Sequence, residues 1–171
     1  MLVGRSLHGS SILFVAFVSP NLVLIEMLMI RNILAVIAGI VIGTIVNMGL
    51  IKLGHTVVPL PPGADVSTME AIAASMSSFG PEQFIFPFLA HAVGTLVGTL
   101  VATLIAASHK MKIAMALGFF FLLGGIAAVV LLPAPLWFDV IDLVFAYIPM
   151  AWLGAKLGGA GLRRRYRSYK I

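Results

Sequence analysis

Four long apolar stretches, separated by short polar loops, occupy most of the chain after residue 30. Each is about 20 residues long, which is the length that a helix needs to cross the hydrocarbon core of a bilayer. Apolar residues run continuously within each stretch instead of alternating with polar ones, and this predicts helices and not membrane strands. The predicted spans are Ile33–Leu53, Phe84–Ala107, Ile113–Leu132 and Trp137–Leu157.

The loop between the first two spans, residues 55–83, carries a helical pattern of its own. After the proline-rich segment Pro59–Gly63, Ser67 and Glu70 stand at the spacing of a capping box. Apolar residues then recur at helical spacing until Gly80 and Pro81 end the pattern. We therefore predict a short amphipathic helix that lies flat on the outer membrane surface or covers the bundle as a lid.

The N-terminal stretch Ser11–Ile30 is also apolar, but Pro20–Asn21 interrupts it. It fits a fifth span, a signal-like segment, or an upstream extension before a start at Met27 or Met29. No small-residue cleavage site stands out, so we expect an extension or an interfacial helix. The predicted organisation is an N-terminal extension (1–30), a four-helix transmembrane domain (31–159) and a basic tail (160–171).

Composition supports the membrane interpretation. Hydrophobic residues make up 61% of the 171 residues and charged residues only 10%, while the mean hydropathy is +1.12. A soluble domain of this size cannot bury so much apolar surface, and a disordered chain would need the opposite composition. The chain has no cysteine, which excludes disulfides, thiolate metal sites and cysteine nucleophiles. The predicted fold class is an all-α membrane protein, a four-transmembrane-helix bundle with a short outer helix.

The net charge is +5, and the four predicted spans divide the charged residues between the two sides of the membrane. One side holds only basic residues: Arg31, Lys110, Lys112, Lys156, Arg163, Arg164, Arg165, Arg167 and Lys170. The other side holds the acidic residues Asp65, Glu70, Glu82, Asp139 and Asp142, with Lys52 as its one base. Because an excess of Lys and Arg marks the cytoplasmic side, we expect a bacterial inner-membrane protein whose core termini are both cytoplasmic.

The basic tail contains Arg163, Arg164, Arg165 and Arg167. We interpret it as the cytoplasmic flank of the last span, lying in the lipid headgroup region. A patch that binds anionic lipid specifically and a patch that binds nucleic acid are the alternatives. We expect the lipid bilayer, and not nucleic acid, to be its partner.

Glycines predict how the spans pack. Gly39 and Gly43 on the first span, and Gly94 and Gly98 on the second, form small-residue ridges that allow helix backbones to approach closely. We expect these ridges to pack within one chain, with homodimerisation as the alternative. Pro149, in the middle of the fourth span, predicts a kink because it removes one backbone hydrogen bond.

Four polar residues fall inside the predicted spans and face the bundle: Asn47, His91, Asp139 and Asp142. A rise of about 1.5 Å per residue places Asn47, His91 and Asp142 in one layer, about 8–10 Å below the outer ends of their helices. Charged groups at this depth are costly and are functional candidates by default. His55 and Glu82 are expected at the mouth above the layer.

Three interpretations of this layer remain. The first is a hydrogen-bond clamp, in which His91 bonds to Asp142 or Asp139 and Asn47 caps the network. The second is a proton or cation site, since neighbouring carboxylates repel unless one holds a proton or a cation. The third is a metal site formed by His91, Asp139 and Asp142, with His55 as an optional further ligand, although the spacing matches no metal motif. We expect no cofactor, and bis-histidine haem is disfavoured because His55 and His91 are not level.

No motif of hydrolases, nucleotide-binding proteins or zinc enzymes is present. We therefore expect no catalytic residues and a non-enzymatic protein: an accessory subunit or scaffold that acts through helix packing. A small oligomeric transporter or channel-like protein that uses the His/Asp layer is the alternative. The expected protein partner is a second copy of the chain or another membrane protein.

Two segments, Phe86–Ala92 (FPFLAHA) and Tyr147–Gly154 (YIPMAWLG), resemble those of small bacterial membrane proteins with four predicted helices. The resemblance extends from about Arg31 to Gly159 and leaves out the N-terminal stretch. It implies a bacterial origin and a four-helix core, and it implies no catalytic residue.

Overall fold

The computed structural model describes the backbone of residues 7–161 and the side chains of residues 21–161. Its α-helices are α1 (Leu7–Val57), α2 (Met69–Ser75), α3 (Ile85–Ile105), α4 (Lys110–Leu131), α5 (Leu136–Phe145) and α6 (Ile148–Leu157). Short 3₁₀ turns at Met76–Ser78 and Pro81–Phe84 join α2 to α3. We call the end of the bundle near α2 the lid end and the opposite end the tail end.

Four helical segments are long and apolar enough to cross a membrane: Asn21–Val57, Pro81–Ile105, Lys110–Leu131 and Leu136–Leu157. They coincide with the four predicted spans, and the predicted fold class is confirmed. The fourth segment consists of α5 and α6, which follow each other with only Ala146 and Tyr147 between them.

Helix α1 is longer than its predicted span. Its 51 residues extend over about 77 Å at 1.5 Å per residue, more than twice the ~30 Å of a hydrocarbon core. The interruption expected at Pro20–Asn21 is wrong, because the helix continues through both residues. A membrane helix tolerates a proline because neighbouring groups or a local adjustment of the helix can satisfy the carbonyl that it frees. The predicted roles of residues 1–30 and 160–171 stay predictions.

Helix α3 lies at the centre and packs against α1, α4 and α6. Its glycine ridge faces α1, and the two backbones touch. A Cβ atom added at Gly98 would lie 2.6 Å from the carbonyl oxygen of Gly39. One added at Gly43 would lie 2.9 Å from the carbonyl oxygen of Gly94. The four glycines therefore pack together within one chain, because any larger residue would separate the two helices.

A second face of α3 carries threonines. Thr95, Thr99 and Thr103 are fully or almost fully buried. The hydroxyl of Thr99 donates to the Thr95 carbonyl at 2.7 Å, and that of Thr103 donates to the Thr99 carbonyl at 2.6 Å. Each hydroxyl is thus satisfied within its own helix. The Thr99 hydroxyl also packs against Gly154 of α6, and the methyl group of Thr103 packs against Gly158, the C-cap residue of α6.

The fourth span breaks where the sequence predicts a kink. Helix α5 ends at Phe145 and α6 begins at Ile148, one residue before Pro149. The expected kink is confirmed, and it is a full interruption. The amide of Ala146 still closes α5 on the Asp142 carbonyl, and the amide of Ala151 opens α6 on the Tyr147 carbonyl.

Helix α2 covers the lid end. Met76, just after α2, is buried against Phe84 and Phe138, and Ile72 and Phe79 pack on the same cluster. Of the two predicted positions, the structure therefore has the lid and not the flat surface helix.

The predicted capping box of α2 is wrong. Thr68, and not Ser67, caps the helix by accepting a hydrogen bond from the Ala71 amide at 3.1 Å. The Ser67 amide instead donates to Asp65 Oδ1 at 2.8 Å. This turn delays the start of the helix by one residue, because an aspartate side chain readily bonds the backbone two residues on.

Candidate functional site

His91 and Asp142 meet inside the bundle. The Nδ1 atom of His91 lies 2.9 Å from both carboxylate oxygens of Asp142. The hydroxyl of Tyr147 donates to Asp142 Oδ2, also at 2.9 Å. Only 4% of the Asp142 side chain is exposed, against 23% of His91. We call these three residues the His–Asp–Tyr cluster.

The break in the fourth span makes this cluster possible. Asp142 lies in α5, and Tyr147 lies in the break, only five residues later. In a continuous helix, residues three or four apart share a face and residues five apart do not. The ring of Tyr147 also packs beside that of His91, with centroids 5.7 Å apart, so Tyr147 contacts both His91 and Asp142.

Above the cluster is a cavity of about 200 Å³, which we call the lid cavity. Ile72, Met76 and Phe79 line it from the lid segment, and its walls come from the lid-end parts of α1, α3, α4 and α5. Almost all of its lining is apolar. The polar side chains that line it are His55, Gln83, His91, Asp139 and Asp142.

Asp139 is brought to the cavity but not into the cluster. Its half-buried side chain lines the lid cavity, and among the described residues it has no hydrogen-bond or ion-pair partner. His55 also lines the cavity, at the end of α1. Glu82 does not line it: its carboxylate lies against Gly80, beside a shallow groove near Trp137.

Asn47 does not cap the network, and that part of the clamp prediction is wrong. The described part of the chain offers its amide no hydrogen-bond partner. The Asn47 side chain packs on the backbone of Gly94. A Cβ atom added at Gly94 would lie 3.1 Å from the Cβ atom of Asn47. Asn47 instead lines a second cavity of about 270 Å³, between α1 and α4, which it shares with His91 and Tyr147. His91 thus stands between the two cavities.

The described residues contain no group of three or more His, Cys, Asp or Glu side chains placed to hold a metal ion. His55 and Asp139 line the same cavity as His91, but they do not converge with it. The basic residues Arg163, Arg164, Arg165 and Arg167 lie outside the described residues.

A second polar contact, at the tail end, was not found from the sequence. Asn32 of α1 accepts hydrogen bonds from the amides of Ala107 and Ser108, at 2.9 and 3.3 Å, and donates to the Ser108 hydroxyl at 2.9 Å. Its neighbour Arg31 donates to the Ile105 carbonyl at 2.6 Å. Arg31 thus satisfies a carbonyl at the end of α3, and Asn32 satisfies two amides of the loop that follows it. The sequence gives one indication of this contact: Arg31 and Asn32 precede the first span, on the side of the membrane where the loop with Ser108 is expected.

The chain matches no known protein family, curated protein or solved structure at a significant level. Its class therefore follows from the molecule itself. Four helices of spanning length, an apolar exterior and a polar cluster held inside the bundle define a polytopic α-helical membrane protein.

Proposed function

We propose that the chain is a non-enzymatic protein of the bacterial inner membrane that acts through helix packing, as an accessory subunit or scaffold. The observation that carries this proposal is the tight contact between helices on the tail-end side of the His–Asp–Tyr cluster. There the Gly39 carbonyl leaves no room for a methyl group at Gly98. On the other face of α3, Thr99 and Thr103 fill the space at Gly154 and Gly158 in the same way.

Such contacts support a scaffold because an ion that crossed the bundle along α3 would have to pass them. In a single copy, neither the α1–α3 contact nor the α3–α6 contact leaves space for a hydrated pathway. Close glycine packing does, however, hold four spans in a defined arrangement. Another membrane protein, or a second copy, would bind this arrangement through lipid-facing surfaces.

A small oligomeric transporter is the second candidate, and the break in the fourth span favours it. Discontinuous helices line the binding sites of many transporters, and an intramembrane carboxylate often marks a proton pathway. The His–Asp–Tyr cluster combines both features. Because the tail-end half is tightly packed in one copy, a pathway would have to form between copies or by rearrangement of α6.

One pair of measurements separates the two candidates. The chain is extracted with its bound partners into native nanodiscs for mass spectrometry, and the purified chain is placed in liposomes for dye-detected proton flux. A scaffold is expected to give a complex of fixed stoichiometry, unchanged in His91→Ala, and no flux. Flux that His91→Ala and Asp142→Asn abolish, and that His109→Asn retains, would establish the transporter. A monomer with neither partner nor flux would overturn both.

A further inference from the structure

We infer that the lid cavity is a binding site for a small lipophilic amine, a protonated primary amine carried on one ring or a short alkyl chain. The inference goes beyond the proposed function, because a scaffold needs no ligand. It depends on the size of the cavity, on its apolar walls and on the charges at its floor.

The size of the cavity limits the ligand to about one ring and a short arm. An engineered apolar cavity of about 150 Å³ binds benzene, and the lid cavity is somewhat larger, at about 200 Å³. Its walls are formed by apolar side chains that hold no hydrogen-bonding group: Ile51, Val58, Ile72, Phe86, Val129 and Leu132. The body of the ligand must therefore be apolar.

The floor of the cavity selects the charge of the ligand. Asp139 and Asp142 both line it, and no lysine or arginine does so within the described residues. Lys52, the one base on that side of the chain, is exposed on α1 and does not line the cavity. An anion would meet the Asp139 carboxylate, which has no partner among the described residues, in an environment of low dielectric, whereas a cation is attracted there.

Asp139 and Asp142 differ in how many of their hydrogen-bond acceptor positions remain free for a ligand. Asp142 already accepts hydrogen bonds from His91 and Tyr147. Asp139 accepts none from any described residue, so its oxygens are available to an ammonium group. A primary amine donates up to three hydrogen bonds, and charge-assisted bonds to a carboxylate are stronger than neutral ones. Asp139 is thus the expected recognition residue, and Asp142 adds to the field.

The test uses the full chain in nanodiscs of zwitterionic lipid, which do not attract amines by charge. The probes are 2-phenylethylamine and its neutral isostere 2-phenylethanol. Binding is measured from chemical shifts of labelled histidine side chains, with empty nanodiscs correcting for partition into lipid. We expect the amine to bind about tenfold more tightly than the alcohol, the preference that one charge-assisted bond provides.

Two variant pairs locate the site. Asp139→Asn is expected to remove the preference for the amine while the alcohol binds as before, and Asp139→Glu is expected to keep it. Ala128→Leu fills the cavity and should abolish binding of both probes. Its neighbour Ala127→Leu is the matched control, because Ala127 is exposed and does not line the cavity.

Each contrary result has a definite meaning, and circular dichroism confirms that every variant is folded. Equal affinity for amine and alcohol overturns the inference about charge. A preference that survives in Asp139→Asn overturns the role of that carboxylate. Absence of binding by either probe, or binding unaffected by Ala128→Leu, overturns the site itself. None of these results depends on the oligomeric state that tests the proposed function.

Discussion

At the scale of single residues, one buried carboxylate organises the lid-end half of the bundle. Asp142 accepts from His91 on α3 and from Tyr147 in the break of the fourth span. Residues from two spans are thereby held in one register. A buried carboxylate that lost these partners would keep its desolvation cost without compensation, so the three side chains should behave as a unit.

Replacing His91 by Ala is expected to lower the free energy of unfolding by about 0.6–1.7 kcal/mol, from the average to the largest value typical of interhelical hydrogen bonds in a membrane protein. Unfolding in mixed micelles of increasing denaturing detergent measures the loss. His109→Asn is the control, because His109 lies outside the spans at a positive φ of 51°, which Asn tolerates. The double variant His91→Ala/Asp142→Asn should cost less than the sum of the single variants. Strict additivity would contradict a shared cluster.

Asp65, in the loop before α2, makes the lid sensitive to acid. Hydrogen bonds from Ser67 lower the pKa of this exposed carboxyl below its ordinary value of 3.8. The pKa of Asp65 is lower in the folded loop than in the unfolded chain. Ionised Asp65 therefore stabilises the loop at every pH above its unfolded pKa, and this stability is lost as the pH falls through its folded pKa. Hydrogen exchange at the amides of residues 67–75 should rise over that strongly acidic range, relative to an unstructured peptide. Asp65→Asn should exchange faster already at neutral pH, and an unchanged profile in that variant would refute the assignment.

At the scale of elements, the lid and the helix crossings depend on different forces. Helix α2 has only seven residues, too few to be stable alone. It relies on its Thr68 cap and on the apolar cluster around Met76 and Phe84. The crossing of α1 with α3 relies instead on the absence of side chains at Gly39 and Gly98.

Thr68→Ala is expected to destabilise α2 by about 1 kcal/mol, the usual cost of losing an N-cap. The change should appear as faster hydrogen exchange in Met69–Ser75, with the exchange of α3 unaffected. Ser77→Ala, an exposed change in the adjacent turn, serves as the control. An equal effect of the two substitutions would mean that Thr68 is not the cap.

Gly98→Ala is expected to cost about 1–3 kcal/mol, the range for overpacking a well-packed core. Its added Cβ would meet backbone atoms of Gly39, which cannot rotate away as a side chain can. The matched control is Gly124→Ala on α4, where nothing lies within 4 Å of the added atom. That change should be neutral or slightly stabilising, because alanine favours the helix. The measurement is detergent unfolding of both variants, and equal stabilities would argue against the close crossing.

At the scale of the whole molecule, the fold consists of a compact tail-end half and a lid-end half that encloses a cavity. The charges of the described spans and loops add a direction to this asymmetry. Arg31, Lys110, Lys112 and Lys156 lie at the tail end, with Glu26 further out on α1, whereas Asp65, Glu70, Glu82, Asp139 and Asp142 lie at the lid end with Lys52. The positive-inside rule then predicts that the lid cavity faces away from the cytoplasm.

The absence of cysteine allows a direct test of this orientation. A Ser77→Cys variant should react with a membrane-impermeant maleimide in cells whose cytoplasmic membrane is intact, if the chain is inserted there as proposed. A Lys112→Cys variant should react only after that membrane is permeabilised. Both positions are exposed, so a reversed pattern would place the lid in the cytoplasm.

The positions of the spans could be predicted from the sequence because hydropathy over about 20 residues is a local property that the bilayer enforces. The glycine faces of α1 and α3 could also be predicted, since spacing along a helix determines which residues share a face. The start of α2 could not be predicted to the residue. Ser67 and Thr68 are adjacent N-cap formers, and a side chain further back, that of Asp65, decides between them.

The sequence by itself determined the membrane class, the four spans, the polar residues inside them and the proline that interrupts the last one. Only the tertiary structure decided which polar residues meet: Asp142 and not Asp139 bonds to His91, Tyr147 completes the cluster, and Asn47 stands apart. The physical reason is that a hydrogen bond depends on distances of a few tenths of an ångström. Those distances depend on how the broken fourth span packs against α3, and no local pattern along the chain contains that information.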